Sequence, residues 1–182
     1  MKETTSLALV LLALAGSAQA EDPYRYQRDQ GFFTTLFMDK EMAVLQHRQT
    51  QEECGSCHWA LLPGLLPERS WNRILEEQGE HFGENLDLDP EVAQEIRTYL
   101  ITHAAEFTPS KVSVHILDSI PESESPLRVS ETSFWKKKHE EMEEEKAFGR
   151  ESVKSPSNCV ACHTEVERDG DFDEHRVEVP IN

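Results

Sequence analysis

The sequence predicts a small, mainly α-helical fold with much irregular chain. Three observations carry that expectation. Apolar residues recur at helical spacing in the stretches 68–80 and 89–105. Proline and glycine interrupt the chain around those stretches and leave connections with no regular period. Only 37% of the residues are apolar, and all four cysteines fall in two Cys-X-X-Cys-His pentapeptides, so a modest polypeptide core needs something else to complete it.

The elements follow in chain order. Residues 1–20 read as a secretory signal peptide: Lys2 is the positive start, Leu7 to Ala15 the apolar run, and Ala18-Gln19-Ala20 the cleavage site. The apolar run is shorter than the roughly 20 residues that span a bilayer. An exported, soluble, periplasmic chain beginning at Glu21 is therefore expected. Residues 21–110 form a first half. A polar lead-in runs to Gln51, with a short helix from Lys40 to Arg48, and Cys54-Gly55-Ser56-Cys57-His58 follows. Leu62-Pro63-Gly64-Leu65-Leu66-Pro67 breaks any helix, and its apolar residues suit a pocket wall. From Glu68 to Glu80 a helix places Trp71, Ile74 and Leu75 on one side, with His81-Phe82-Gly83 at its end and Gly83 as its stop. Asp89 caps the next helix and Pro90 takes its first position; Val92, Ile96, Tyr99 and Leu100 make its apolar stripe, to about Ala105.

Residues 111–127 read as a loop or linker. Within them Val112, Val114 and Ile116 alternate with Ser113 and His115, which predicts a short strand. Residues 128–182 form a second half. A helix is expected from Glu131 to Phe148, carrying Phe134, Trp135 and His139 and then an acidic run on a solvated face. Asn158 caps a short helix before Cys159-Val160-Ala161-Cys162-His163, and a polar tail with Phe172 closes the chain.

The pentapeptides carry the chemistry. Cys-X-X-Cys-His is the pattern of c-type haem attachment. Two thiols separated by two residues reach both vinyl groups of one haem, and the histidine that follows becomes the proximal iron ligand. Cys54, Cys57, Cys159 and Cys162 are thus the expected thioether positions for two covalently bound haem c groups, and His58 and His163 the proximal ligands. Two disulfides would close loops too small to stabilise much, and would leave both histidines unexplained. A four-sulfur zinc site would need pairs from opposite ends of the chain to converge. Covalent haem attachment outside the bacterial cytoplasm agrees with the signal peptide.

The sixth ligand decides whether each iron is open to small molecules or closed. His81 lies at a helix end beside Phe82; a histidine there could equally answer the helix dipole. His139 shares a helix face with Trp135, and Met142, one turn on, is the fallback. Each candidate lies one helix and one connection from its own motif, so local pairing is simplest and crossed pairing stays open. His47 is the reserve; His103, His115 and His175 read as surface histidines, and Met38 and Met42 are further competitors.

Glu53 to Trp59, Pro63 to Pro67, Ser70-Trp71 and His81-Phe82-Gly83 together resemble the bacterial di-haem cytochrome c family abbreviated DHC. Arg128 to Thr132, Phe134, His139, Asn158-Cys159, Gly170, Phe172 and Val179-Pro180 continue that family's order. The resemblance runs over most of the chain from Glu53 onward. It implies a soluble low-spin electron carrier, not an enzyme, with His81 and His139 as distal ligands. It also implies redox-protein partners, among them a small oxygen-binding monohaem cytochrome c and a membrane cytochrome b. Glu84 to Leu88 departs from the pattern, and the lead-in and the 111–125 loop match no part of it. The rival is a peroxidase-like or small-ligand-binding protein with one open iron.

The net charge of −17 disfavours nucleic acid and anionic membrane, and steers toward a basic partner. Histidine in place of methionine, and the carboxylates of 140–145, both lower a haem's potential. Lys136 to Lys138 are the one basic island, on a solvated face. Trp59, Trp71, Phe82, Phe134 and Trp135 are expected around the haems.

Overall fold

The computed structural model describes residues 41–181, so the expected signal peptide, most of the lead-in and Met38 lie outside it. Seven α-helices occur among the described residues: α1 (Arg48–Cys54), α2 (Glu68–Glu76), α3 (Pro90–Thr102), α4 (Lys111–Ser119), α5 (Ser133–Lys138), α6 (Glu140–Glu144) and α7 (Val166–Asp169). Short 3-10 turns and irregular chain connect them, and the described residues contain no strand beyond one isolated bridge, His81 to Glu84.

The α2–α3 pair is the main helical contact. Trp71 and Leu75 lie one turn apart on α2 and bury against the cluster that holds Ile96 and Leu100 of α3. Each such side chain contributes about 1.5–3 kcal/mol on leaving water. The indole Nε1 of Trp71 donates to the Pro63 carbonyl at 2.8 Å, which fastens the Pro63–Leu65 turn against the helix. Asp89 and Pro90 start α3 as expected: an Asp89 carboxylate oxygen accepts from the Glu91 N–H at 2.9 Å. The helix ends at Thr102. The helix expected over 68–80 stops at Glu76 and tightens into a 3-10 turn, Gln78–Glu80.

Three local expectations are corrected. The first helix begins at Arg48 and ends on Cys54, not over Lys40 to Arg48, because His47 is its N-cap, with Nδ1 accepting from the Thr50 N–H. The stretch 112–116 is helix α4, not a strand. Ser110 caps it through the Ser113 N–H, and Ser113, Ile116 and Ile120 bury one side of it. Five alternating residues were too few to outweigh that cap. The long helix expected over 131–148 is broken at His139, whose φ and ψ of −113° and 14° leave the helical region. Lys136 to Lys138 then form the last turn of α5, and Glu140, Glu141 and Glu143 the first turn of α6. Each run thus meets the helix end whose dipole favours it, which one continuous helix would forfeit.

The N-terminal segment closes on the C-terminal half. The Met42 N–H donates to the Gly170 carbonyl at 2.9 Å. Gly170 has φ +70°, and a Cβ there would collide with the Met42 carbonyl, so only glycine fits. Met42 itself is buried in the core beside Gly64, which explains it as packing and not as an iron ligand.

Candidate functional site

The first pentapeptide begins on the last residue of α1, so the helix sets the Cys54 thiol at the edge of the core while Cys57 stays exposed. The His58 ring nitrogen Nδ1 donates to the Trp59 carbonyl at 2.7 Å, which leaves Nε2 as the free donor atom toward a metal. Facing it is His81, where the 3-10 turn after α2 ends. The two rings lie near-parallel, with centroids 6.2 Å apart and planes inclined by 25°.

The second pentapeptide starts in a 3-10 turn, Cys159–Ala161. Asn158 precedes it but makes no side-chain cap; its Nδ2 donates to the Val153 carbonyl at 3.0 Å and ties the motif to the preceding loop. Opposite His163 lies His139, with centroids 6.2 Å apart and planes inclined by 67°. The break between α5 and α6 is what frees the His139 ring to turn inward. Its Nδ1 donates to the Trp135 carbonyl at 2.9 Å, and its ring stacks on the Trp135 indole at 4.2 Å. Phe148 tilts against both, and Phe172 meets His163 edge-on at 5.1 Å.

The spacing of the ring pairs is the geometric test of haem at these sites. Two imidazoles on opposite sides of one metal ion, each at a bond of about 2 Å, put their centroids roughly 6 Å apart. Both pairs stand at that separation with nothing but local contacts to hold them there. A cavity of about 460 Å³ adjoins the first site, walled by His58, Trp59, Ala60 and Leu62, and by Val160 and Glu167 of the second half. That volume suits a cofactor-sized group. The residues fit two haems, each between a Cys-X-X-Cys-His motif and a facing histidine.

Burial favours the neutral form of several of these donors. Burial pushes the Cys54 thiol up to about 11, with the Glu53 carboxylate adding to it, and burial pushes Cys159 to about 11 as well. Burial also raises Cys162. It lowers His139, and lowers His163 to about 4 with His139 nearby. His81 is lowered by burial first, then by His58 and Arg128. A neutral imidazole keeps the lone pair that a metal requires.

The rival donor sets do not assemble. No two of the four cysteines pair in a disulfide, and among the described residues no three His, Cys, Asp or Glu side chains converge on one ion position. His47 is occupied: its Nε2 lies 3.1 Å from a Glu95 carboxylate oxygen, and its ring stacks on Tyr99, which stacks in turn on His103. His115 of α4 stacks on Phe134 at 5.3 Å. Trp71 is core. Phe148 was missed from the expected aromatic set, since its place in a glutamate-rich segment gives no sign that the chain folds back onto Trp135.

A family described as dihaem cytochrome c matches residues 50–172. No curated protein matches the chain. Among solved structures, a diheme cytochrome c from Rhodobacter sphaeroides is 35% identical, with 69% of this chain and 96% of that one covered and a TM-score of 0.61. The diheme cytochrome type c from Shewanella baltica OS155 is 33% identical, with 76% of this chain and 96% of that one covered and a TM-score of 0.60.

Proposed function

The chain belongs to the dihaem cytochrome c family, and from that premise we propose that it is a closed electron carrier of the periplasm, with histidine on both faces of each iron. It carries two covalently bound haem c groups and transfers electrons. The groups supply one-electron iron chemistry; the chain supplies ligands, burial and spacing. In this reading Cys54 and Cys57 anchor the first haem and Cys159 and Cys162 the second. His58 with His81, and His163 with His139, are the axial pairs, matched locally and not crossed.

One observation carries the reading: both ring pairs stand 6.2 Å apart, the separation that a shared metal demands. With both faces filled, substrate has no iron position to enter, and the peroxidase-like alternative loses its open site. Export is supported by Lys2, the apolar run and Ala18-Gln19-Ala20. No helix among the described residues is long and apolar enough to cross a membrane. The partners are redox proteins, among them a small oxygen-binding monohaem cytochrome c and a membrane cytochrome b. The net charge of −17 supports a basic docking face on the partner.

Low-temperature EPR of the oxidised protein tests the ligation. Near-parallel imidazoles at the first site give an ordinary rhombic low-spin signal, and steeply inclined ones at the second give a more anisotropic low-spin signal. A high-spin signal from one haem would overturn the closed-carrier reading and favour the open-iron alternative.

A further inference from the structure

We propose that the two irons are closed with unequal firmness: the His81 position is exchangeable and admits a small neutral diatomic ligand, carbon monoxide or nitric oxide, whereas the His139 position is not. The inference rests on the reading of His81 and His139 as distal ligands and goes beyond it. It is carried by the difference between the two supports.

His139 sits at a junction of two helices. Its Nδ1 is tied to the Trp135 carbonyl, its ring lies flat on a buried indole, and Phe148 tilts against both rings. Removing that ring from its place would open a packed cluster. His81 has a turn for support. Residues 79 and 80 before it and 82 to 85 after it are exposed. No hydrogen bond to its ring occurs among the described residues, so it lacks the tether that fixes a ligand's orientation and raises its basicity.

The turn is also strained. Phe82, directly after His81, has φ +56°, a left-handed conformation that is unusual for a bulky residue. Gly83 follows at φ +99°. The Phe82 ring is 45% exposed and is held by Arg128, whose guanidinium carbon lies 3.6 Å above its centroid. Swinging the turn outward lets Phe82 relax and moves His81 into solvent without disturbing the core. A diatomic ligand then takes the position that His81 leaves; the step is a substitution and transfers no electron. The first site is thus a carrier at rest and a ligand site when the turn opens.

Carbon monoxide mixed with the anaerobic, dithionite-reduced holoprotein tests this, with Soret absorbance as the readout. The resting spectrum is low-spin for both haems. One haem of the two binds in a slow phase whose rate levels off at high carbon monoxide, because departure of His81 limits it. In His81→Ala that haem binds within the mixing time and no slow phase remains. In His139→Ala a fast phase is added and the slow phase persists. Gly83→Ala touches neither ligand and meets no neighbour within 4 Å, yet places a Cβ at positive φ, so it speeds the slow phase by roughly tenfold. Absence of any uptake, uptake by both haems in the wild type, or a slow phase surviving in His81→Ala overturns the proposal. So does an unchanged rate in Gly83→Ala, which stands as the test if His81→Ala does not fold. A low-spin wild type that takes up nothing removes only the exchangeability; a high-spin haem at rest removes the closed-carrier reading with it.

Discussion

At His139 one departure from helical dihedrals converts a surface position into a site position. Ring, tautomer and tilt are then set by Trp135 and Phe148, so its substitution acts on one haem alone. His139→Ala is expected to leave one haem high-spin and the other unchanged, and His81→Ala to do the same at the other site, both read by absorption and EPR. Gly170 is a residue of another kind: it bears no ligand, yet its carbonyl receives the Met42 N–H where a side chain cannot fit. Gly170→Ala should destabilise the holoprotein by about 2 kcal/mol or more, from the left-handed backbone and the collision together, measured by thermal unfolding. The pentapeptides were legible because each motif is local; His81 and His139, each with an aromatic neighbour in sequence, lie 6.2 Å from the motif histidines. Met42 and Phe148 were not legible, because what defines them is a contact across the fold.

Helices that begin with a side-chain cap were read well when the cap stood before a strong apolar stripe, as Asp89-Pro90 does before α3. They were read poorly when the stripe was short. In α4 the alternation of Val112, Val114 and Ile116 competed with the Ser110 cap, and the buried side formed by Ser113, Ile116 and Ile120 decided for helix. The caps also hold ligand-bearing elements in place. Thr132 opens α5, its hydroxyl accepting from the Trp135 N–H at 3.2 Å and donating to the Val129 carbonyl at 2.8 Å. Thr132→Ala is expected to cost about 1 kcal/mol, a fall of about 3 °C in melting temperature, with the haem spectra unchanged. A spectral change would mean that α5 needs its cap to present His139.

The molecule as a whole depends on groups that the polypeptide does not encode. Its apolar cluster runs from Met42 through Trp71, Ile96 and Ile116 to Val166, and a cavity opens beside His58 at the first site. Chain that never receives haem should show no cooperative melting transition by near-ultraviolet circular dichroism, because the donors then border voids. The charge acts at the same scale. Electron exchange with a basic redox partner should slow as ionic strength rises, since a net −17 steers encounter over distances that salt screens to about 8 Å at physiological strength. A rate indifferent to salt would remove that role for the charge.

The cavity beside His58 takes part of its wall from Val160 and Glu167, about a hundred residues further along the chain. In chain order the first motif is made before that wall. Attachment at Cys54 and Cys57 need not wait for it. The arrival of Gly170 then ties Met42 to the second half through its carbonyl. The first haem's surroundings are thus completed only by the second half, while Cys57 and His58 stay exposed at the surface.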